Sequence, residues 1–331
     1  MAGNVEVSDF TGPFATLNGT SSITATRSDI IRSLLEVGYQ SRKKAVRKVG
    51  PWRARMLVAM ATGYLDRSLN TTQYFRNLEQ TEKVGVSFLL GEAFTHWFAQ
   101  DRMDVEFLVH VAGLESTVWD TSSNKLAAAK PGASPPSLKS RPDFVGFRRL
   151  ERHVFESKGR IRRPASSAVS KALGQVSALS SVNGTQPTTR CATFFMLRAS
   201  GTEGRVIDPE GGTTGADVTF DEWEAVTSAY SFFLDGENSG SVDAMGAGYV
   251  GREIESDVYF GIDKKVLDTI TAESPATADT RRKRVDEVFE ILSHRADFYR
   301  GRREDDASTG LDGTLLVDRR PGGIRRRHLR G

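Results

Sequence analysis

A chain of 331 residues, 38% hydrophobic and 26% charged, is long enough to bury a substantial core and too apolar to behave as a disordered polymer. Its lone cysteine, Cys191, excludes an intramolecular disulfide and a Cys-based zinc site within the chain, and its longest apolar runs are too short to span a bilayer. The net charge of +3 is local in origin: Arg319, Arg320, Arg325, Arg326, Arg327 and Arg330 carry six positive charges within residues 319–331, so the rest of the chain stands at −3 and attracts nucleic acid only through local patches.

The opening MAGNVEVSDF has neither the basic nor the apolar region of a secretory leader, so a cytoplasmic location is expected. Ile30, Ile31, Leu34 and Leu35 recur at helical spacing behind Ser28 and Asp29, which predicts a capped helix from Arg27. No acidic residue lies between Glu36 and Asp66, while Arg42, Lys43, Lys44, Arg47, Lys48, Arg53 and Arg55 cluster around Gly50 and Pro51. That cluster reads either as a phosphate-contacting surface or as a solvated helix face. Residues 1–83 thus read as a helical, partly basic region.

A further helix is expected over 84–100, carrying Glu92 and His96, followed by a β-rich run over 104–119. The Pro, Gly and Ser of residues 130–140 predict a loop. Beyond it come a strand PDFVGF, a connection RRLER, a strand HVFESKG, a helix over 165–181 and a strand CATFFMLR from Cys191. Residues 201–215 read as a hairpin or surface loop, Thr219-Phe-Asp-Glu222 as a capping box, and 280–299 as an amphipathic helix. The expected fold class is α/β, a mixed central β-sheet flanked by helices, with a core over 84–235, a C-terminal α/β addition over 236–318 and an arginine-rich tail over 319–331.

The chemistry concentrates in two strands. Side chains alternate along a strand, so Glu156 and Lys158 project to one face while Phe155 and Ser157 project to the other. If the strands pair through the 148–152 connection, Asp143 converges with Glu156 at one end of the hairpin. Two carboxylates with a nearby main-chain carbonyl, that of Ser157, offer hard oxygen ligands suited to Mg²⁺, with Mn²⁺ as the alternative. Such an ion lowers the pKa of a bound water and neutralises charge building on a phosphate, a task Lys158 can share.

The run RPDFVGF…HVFESKGR resembles the PD-(D/E)xK, or restriction-endonuclease-like, nuclease superfamily, over a core of about a third of the chain. The resemblance implies a restriction-endonuclease-like core in which Asp143 and Glu156 bind metal and Lys158 assists the attacking water. It also implies a further carboxylate on a preceding core helix, which Glu92 in LLGEAFTHWF matches, and a polar residue on the helix after the E-x-K strand, which Lys171 and Gln175 match. Helical geometry agrees: Val169, Ala172, Leu173, Val176 and Leu179 form an apolar stripe, while Lys171 and Gln175 share another side. Exonuclease-like members often carry Tyr four residues after that Gln, where this chain has Leu179.

The expected function is metal-dependent cleavage of nucleic acid, DNA first, by an endonuclease of restriction or defence against foreign DNA. Arg160, Arg162 and Arg163 are expected to contact phosphates. The alternatives are a catalytically inactive nuclease-fold subunit for nucleic-acid binding or assembly, and a nuclease acting on RNA. A homo-oligomer or a protein partner is compatible with either; a membrane is not expected. The chain has no G-x-x-x-x-G-K-[ST] loop, no H-E-x-x-H pair and no nucleophile elbow around Ser166 and Ser167, and His110 and His153 read as core or edge residues.

Overall fold

In the computed structural model, residues 3–38, 52–120, 141–209, 215–234, 243–272, 275–301 and 306–320 are described. Burial alternates along β1 (Asn4–Ser8), so Val5 and Val7 face inward, and β1 pairs antiparallel with β2 (Gly19–Ser22). The region expected to be helical therefore also supplies two strands. Then follows α1 (Arg27–Val37), buried along almost its whole length. Its cap is Thr26 rather than Ser28: the Thr26 hydroxyl accepts the Asp29 N–H at 3.1 Å and Asp29 returns a bond to the Thr26 N–H, a reciprocal box that satisfies two backbone donors.

After α2 (Trp52–Tyr64) and the short α3 (Gln73–Arg76) comes the long α4 (Gln80–Met103), opened by a capping box between Glu79 and Glu82. Every residue of α4 from Leu90 to Gln100 is buried, as expected of a helix enclosed on all sides. The run expected to be β-rich forms only β3 (Phe107–Val109) and β4 (Val118–Asp120), separated by a 3₁₀ turn at Val111–Gly113. The expected loop at 130–140 lies outside the described residues.

Next come β5 (Phe144–Arg148), β6 (Glu151–Arg160), α5 (Ser166–Ser177), β7 (Leu179–Val182) and β8 (Thr189–Met196). The helix ends earlier than its apolar stripe suggests, because Leu179 already belongs to β7. The glycine-rich stretch 201–215 contains β9 (Glu203–Ile207), a full member of the sheet rather than a surface loop. The next strand in the chain, β10 (Ala216–Thr219), takes Thr219, so the cap of α6 (Glu222–Ala229) is Asp221, whose side chain accepts the Trp223 N–H at 2.9 Å.

The chain continues through α7 (Ser231–Leu234), β11 (Tyr249–Glu255), β12 (Val258–Asp263), α8 (Lys264–Thr271), α9 (Ala278–Arg300), β13 (Ala307–Thr309) and β14 (Thr314–Asp318). The main sheet has seven strands in the order β2-β1-β9-β8-β6-β5-β3, mixed because β6 runs parallel to β8 and β1 parallel to β9. A three-stranded sheet β4-β10-β7 and an antiparallel four-stranded sheet β11-β12-β14-β13 complete the β structure described.

Both α4 and α5 pack on β6 and β8 of the main sheet. On its other sides α1 meets α2, α4 and the β13–β14 hairpin. A buried polar network ties these layers together: Arg32 Nε donates to Ser308 Oγ at 2.9 Å, Ser308 donates to Asp29 Oδ1 at 2.6 Å, and Arg32 lies 3.9 Å from Asp312. Gln100 of α4 donates to the same Asp312 at 3.1 Å. No described helix is long and apolar enough to cross a membrane.

Candidate active site

The β5–β6 hairpin turns on Arg149 and Leu150 alone, with Arg149 in the left-handed region at φ 51°, so Glu151 and Arg152, expected in the connection, begin β6. Its antiparallel register ends at Phe144 opposite Phe155, and one step further sets Asp143 across from Glu156. The Asp143 Oδ2 then accepts the Ser157 N–H at 2.8 Å, which fixes the carboxylate against the strand.

Alternation along β6 sends Ser157 toward α4, where Thr95 donates to its hydroxyl at 3.0 Å, and Glu156 and Lys158 to the other face. Lys158 donates to Glu156 Oε1, and its Nζ stands 3.9 Å from Asp143 Oδ2. The second oxygen of Glu156 is buried with no hydrogen-bond partner among the described residues.

Glu92, 3% exposed on α4, faces a cleft of about 550 Å³ that Asp143 also lines, together with Arg53, Phe88, His110 and Arg141. His110 Nε2 is 3.9 Å from Glu92 Oε1 and 2.9 Å from the Val37 carbonyl oxygen. Arg53 bonds the Gly38 carbonyl at 3.0 Å, and Arg141 lies over the Trp119 ring at 4.6 Å. Burial first and Asp143 second push the Glu92 carboxyl well above the ordinary range, against the pull of Arg53 and Lys158. The same two causes, opposed by Lys158, push Glu156 up to about 7.

Asp143 repels both Glu92 and Glu156, and Glu156 has an orphaned buried oxygen, so these carboxylates form a donor set that a hard divalent cation would satisfy. The Lys158 ammonium stands in for part of that positive charge. Among the described residues, the His, Cys, Asp and Glu side chains do not draw together into a closed metal-ligating group of three. The residues that fit the ion are Asp143 and Glu156, with Glu92 lining the cleft beside Asp143.

Other expected site residues fall in different places. Gln175 is buried and donates to the Arg141 carbonyl at 3.4 Å, so it supports the segment leading into Asp143 rather than touching the carboxylates. Lys171 is exposed on α5, one helical turn before Gln175. Arg160 ends β6, Arg162 and Arg163 are exposed beyond it, and none of the three lines the cleft. Arg42, Lys43, Lys44, Arg47 and Lys48 lie outside the described residues. His96, by contrast, is a core residue bonded to Ser33 at 3.1 Å.

His110 was expected in the core or at a sheet edge, yet it reaches the cleft, as does Arg141. Neither position carries a spacing signal; both arrive through the packing of α1, α4 and the segment before β5. No protein-family model, curated protein or solved structure matches this chain.

Proposed function

We propose that this protein is a divalent-metal-dependent nuclease acting on DNA, with a restriction-endonuclease-like core built from α4, β3, β5, β6, α5 and β8. The observation that carries the reading is the hairpin register, which brings Asp143, Glu156 and Lys158 together beside the cleft that Glu92 enters from α4. An endonuclease of restriction or defence against foreign DNA in the cytoplasm is the setting this reading carries.

Asp143 and Glu156 would hold Mg²⁺, with the Ser157 carbonyl as a further oxygen donor; when bound, the ion supplies charge neutralisation and a more acidic water. Asp143 is pinned by the Ser157 N–H and so presents its oxygens without rearrangement. Lys158 places an ammonium beside both carboxylates, where a phosphate oxygen gaining negative charge would be stabilised. Arg53 and Arg141 on the cleft wall orient the phosphodiester, and Phe88, 44% exposed, offers an apolar face to a sugar or base.

The test is incubation of labelled DNA and RNA with wild-type protein, Asp143→Asn and Glu156→Gln, each with Mg²⁺ and with chelator. Mg²⁺-dependent cleavage of DNA by wild type alone supports the proposal. Cleavage of RNA only moves the substrate, and equal cleavage by all three proteins removes the site.

A further inference from the structure

The far end of α1 from the cleft holds a second polar cavity of about 490 Å³, whose walls carry Arg27, Arg67, Arg319 and Arg320 beside Ser68 and Asp318. Four guanidinium groups meet there from three separate parts of the chain: the first turn of α1, the turn after α2 and the residues following β14.

Two carboxylates, Asp306 and Asp318, line the cavity with the four arginines. Asp318 is bound by Arg320 through Nε at 2.7 Å and Nη2 at 2.6 Å. Asp66 accepts the Ser68 and Asn70 N–H groups at 2.8 and 2.9 Å and closes its own turn. Asp29 is held by Thr26 and Ser308. Arg320 also donates to Thr62 at 3.0 Å, and Arg319 to the Ala244 carbonyl at 3.1 Å. The side chains of Arg27 and Arg67 make no hydrogen bond or ion pair with a described residue.

Arg27 is nonetheless half-buried, and its pKa is lowered by burial, with Asp318 and Asp66 opposing and Arg320 and Arg67 adding to the fall. Folding therefore assembles positive charges that repel one another around an open polar cavity, an arrangement that an anion relieves. The flexible reach of Arg67 and the planar fork of Arg27 suit a tetrahedral oxyanion approached from two sides.

We propose that this cavity is a phosphate-binding site, separate from the carboxylate cleft and joined to it by α1. At 1.5 Å per residue, the 11 residues of α1 set the two about 16 Å apart. The bound phosphate belongs either to a nucleic-acid backbone continuing past the cleft or to a free phosphate compound. The inference does not rest on the nuclease reading, since a cation cluster can hold phosphate whether or not the cleft cleaves anything.

The experiment compares the full-length wild type with Arg67→Gln and with the double variant Arg27→Gln/Arg67→Gln. Inorganic pyrophosphate is titrated calorimetrically, and a labelled DNA duplex by fluorescence anisotropy from about 50 to about 200 mM salt. If the site holds backbone phosphate, the salt slope of duplex binding falls by about one for each arginine removed. If it holds a free compound, pyrophosphate affinity drops about tenfold or more in the double variant while duplex binding stays unchanged. Wild type and variants that agree in both titrations overturn the proposal, as does a wild type that binds neither ligand. Should the double variant fail to fold, Arg67→Gln decides alone, because exposed Arg67 supports no described contact. A failed nuclease reading shows instead as absent cleavage with the pyrophosphate result intact.

Discussion

Gly91 of α4 and Gly159 of β6 meet backbone to backbone: a Cβ on Gly91 would stand 2.4 Å from the Gly159 nitrogen, and one on Gly159 only 1.5 Å from the Ser87 carbonyl oxygen. This approach lets Glu92, next to Gly91, enter the same cleft as Asp143. Gly159→Ala is therefore expected to push α4 away, costing about 1–3 kcal/mol as overpacking does. It should also lower cleavage at least tenfold although Gly159 touches no substrate. Urea unfolding and initial rates measure the two effects; full activity in a destabilised variant would show that the position of Glu92 does not matter.

The pH dependence of stability has two opposing parts on β6. Burial first and Asp143 second hold Glu156 protonated up to about 7 rather than 4.5, so the folded state binds its proton more tightly than the unfolded one. That contribution is fully present below 4.5 and is lost as pH rises through 7. His153 behaves oppositely. Its burial, with Arg148 and Arg152 nearby, drops its pKa from 6.5 to about 3, and stability is lost as pH falls through that window. Each amounts to a few kcal/mol at most, and they offset one another between 4.5 and 6.5. With chelator present, the stability of Glu156→Gln relative to wild type should therefore grow as pH rises from 4.5 to 7. A difference between the two that does not change with pH would refute the assignment.

A cation bound by Glu156 must displace its proton, so Mg²⁺ should raise the melting temperature more at pH 8 than at pH 5, with proton release measurable by titration in buffers of different ionisation enthalpy. Asp143→Asn should abolish the shift. Ca²⁺, which prefers longer and more flexible coordination, should support nucleic-acid binding with cleavage at least tenfold slower. Equal turnover with both metals would argue against a tightly organised Mg²⁺ site.

The buried Arg32 network joins α1 to the β13–β14 hairpin. Arg32→Ala leaves the buried Asp312 without its cation, and breaking such a pair costs about 3–5 kcal/mol. Ser308→Ala removes one hydroxyl that bridges Arg32 and Asp29 and should cost about 1–3 kcal/mol. Chemical denaturation of both variants checks the order; a Ser308→Ala change as large as that of Arg32→Ala would place the network's strength in the hydroxyl rather than in the charge.

The parts of the fold legible in the sequence were those with local signatures. Alternation in HVFESKG set the two faces of β6, and the short connection RRLER was enough to place Asp143 near Glu156. The β1–β9 pairing left no trace, because Val5 and Gly204 are partners only through the folding of everything between them, and β9 sits among glycines that read as a loop. At the site, the carboxylates and Lys158 were legible through period-two spacing. His110 and Arg141 were not, since their place in the cleft depends on tertiary packing that no spacing encodes.

The β1–β9 pairing also bears on how the protein is made. At about 5–20 residues per second, translation needs on the order of ten seconds or more to supply the partner for β1 once β1 itself has emerged. During that interval the hairpin with β2 saturates one edge of β1 and leaves the other open, a template for pairing with a neighbouring nascent chain. The alternation that gives β1 two valines on one face and polar residues on the other limits how sticky the waiting hairpin can be. Yield on expression at elevated temperature should therefore respond more to substitutions at Val5 and Val7 than their small share of the core would suggest.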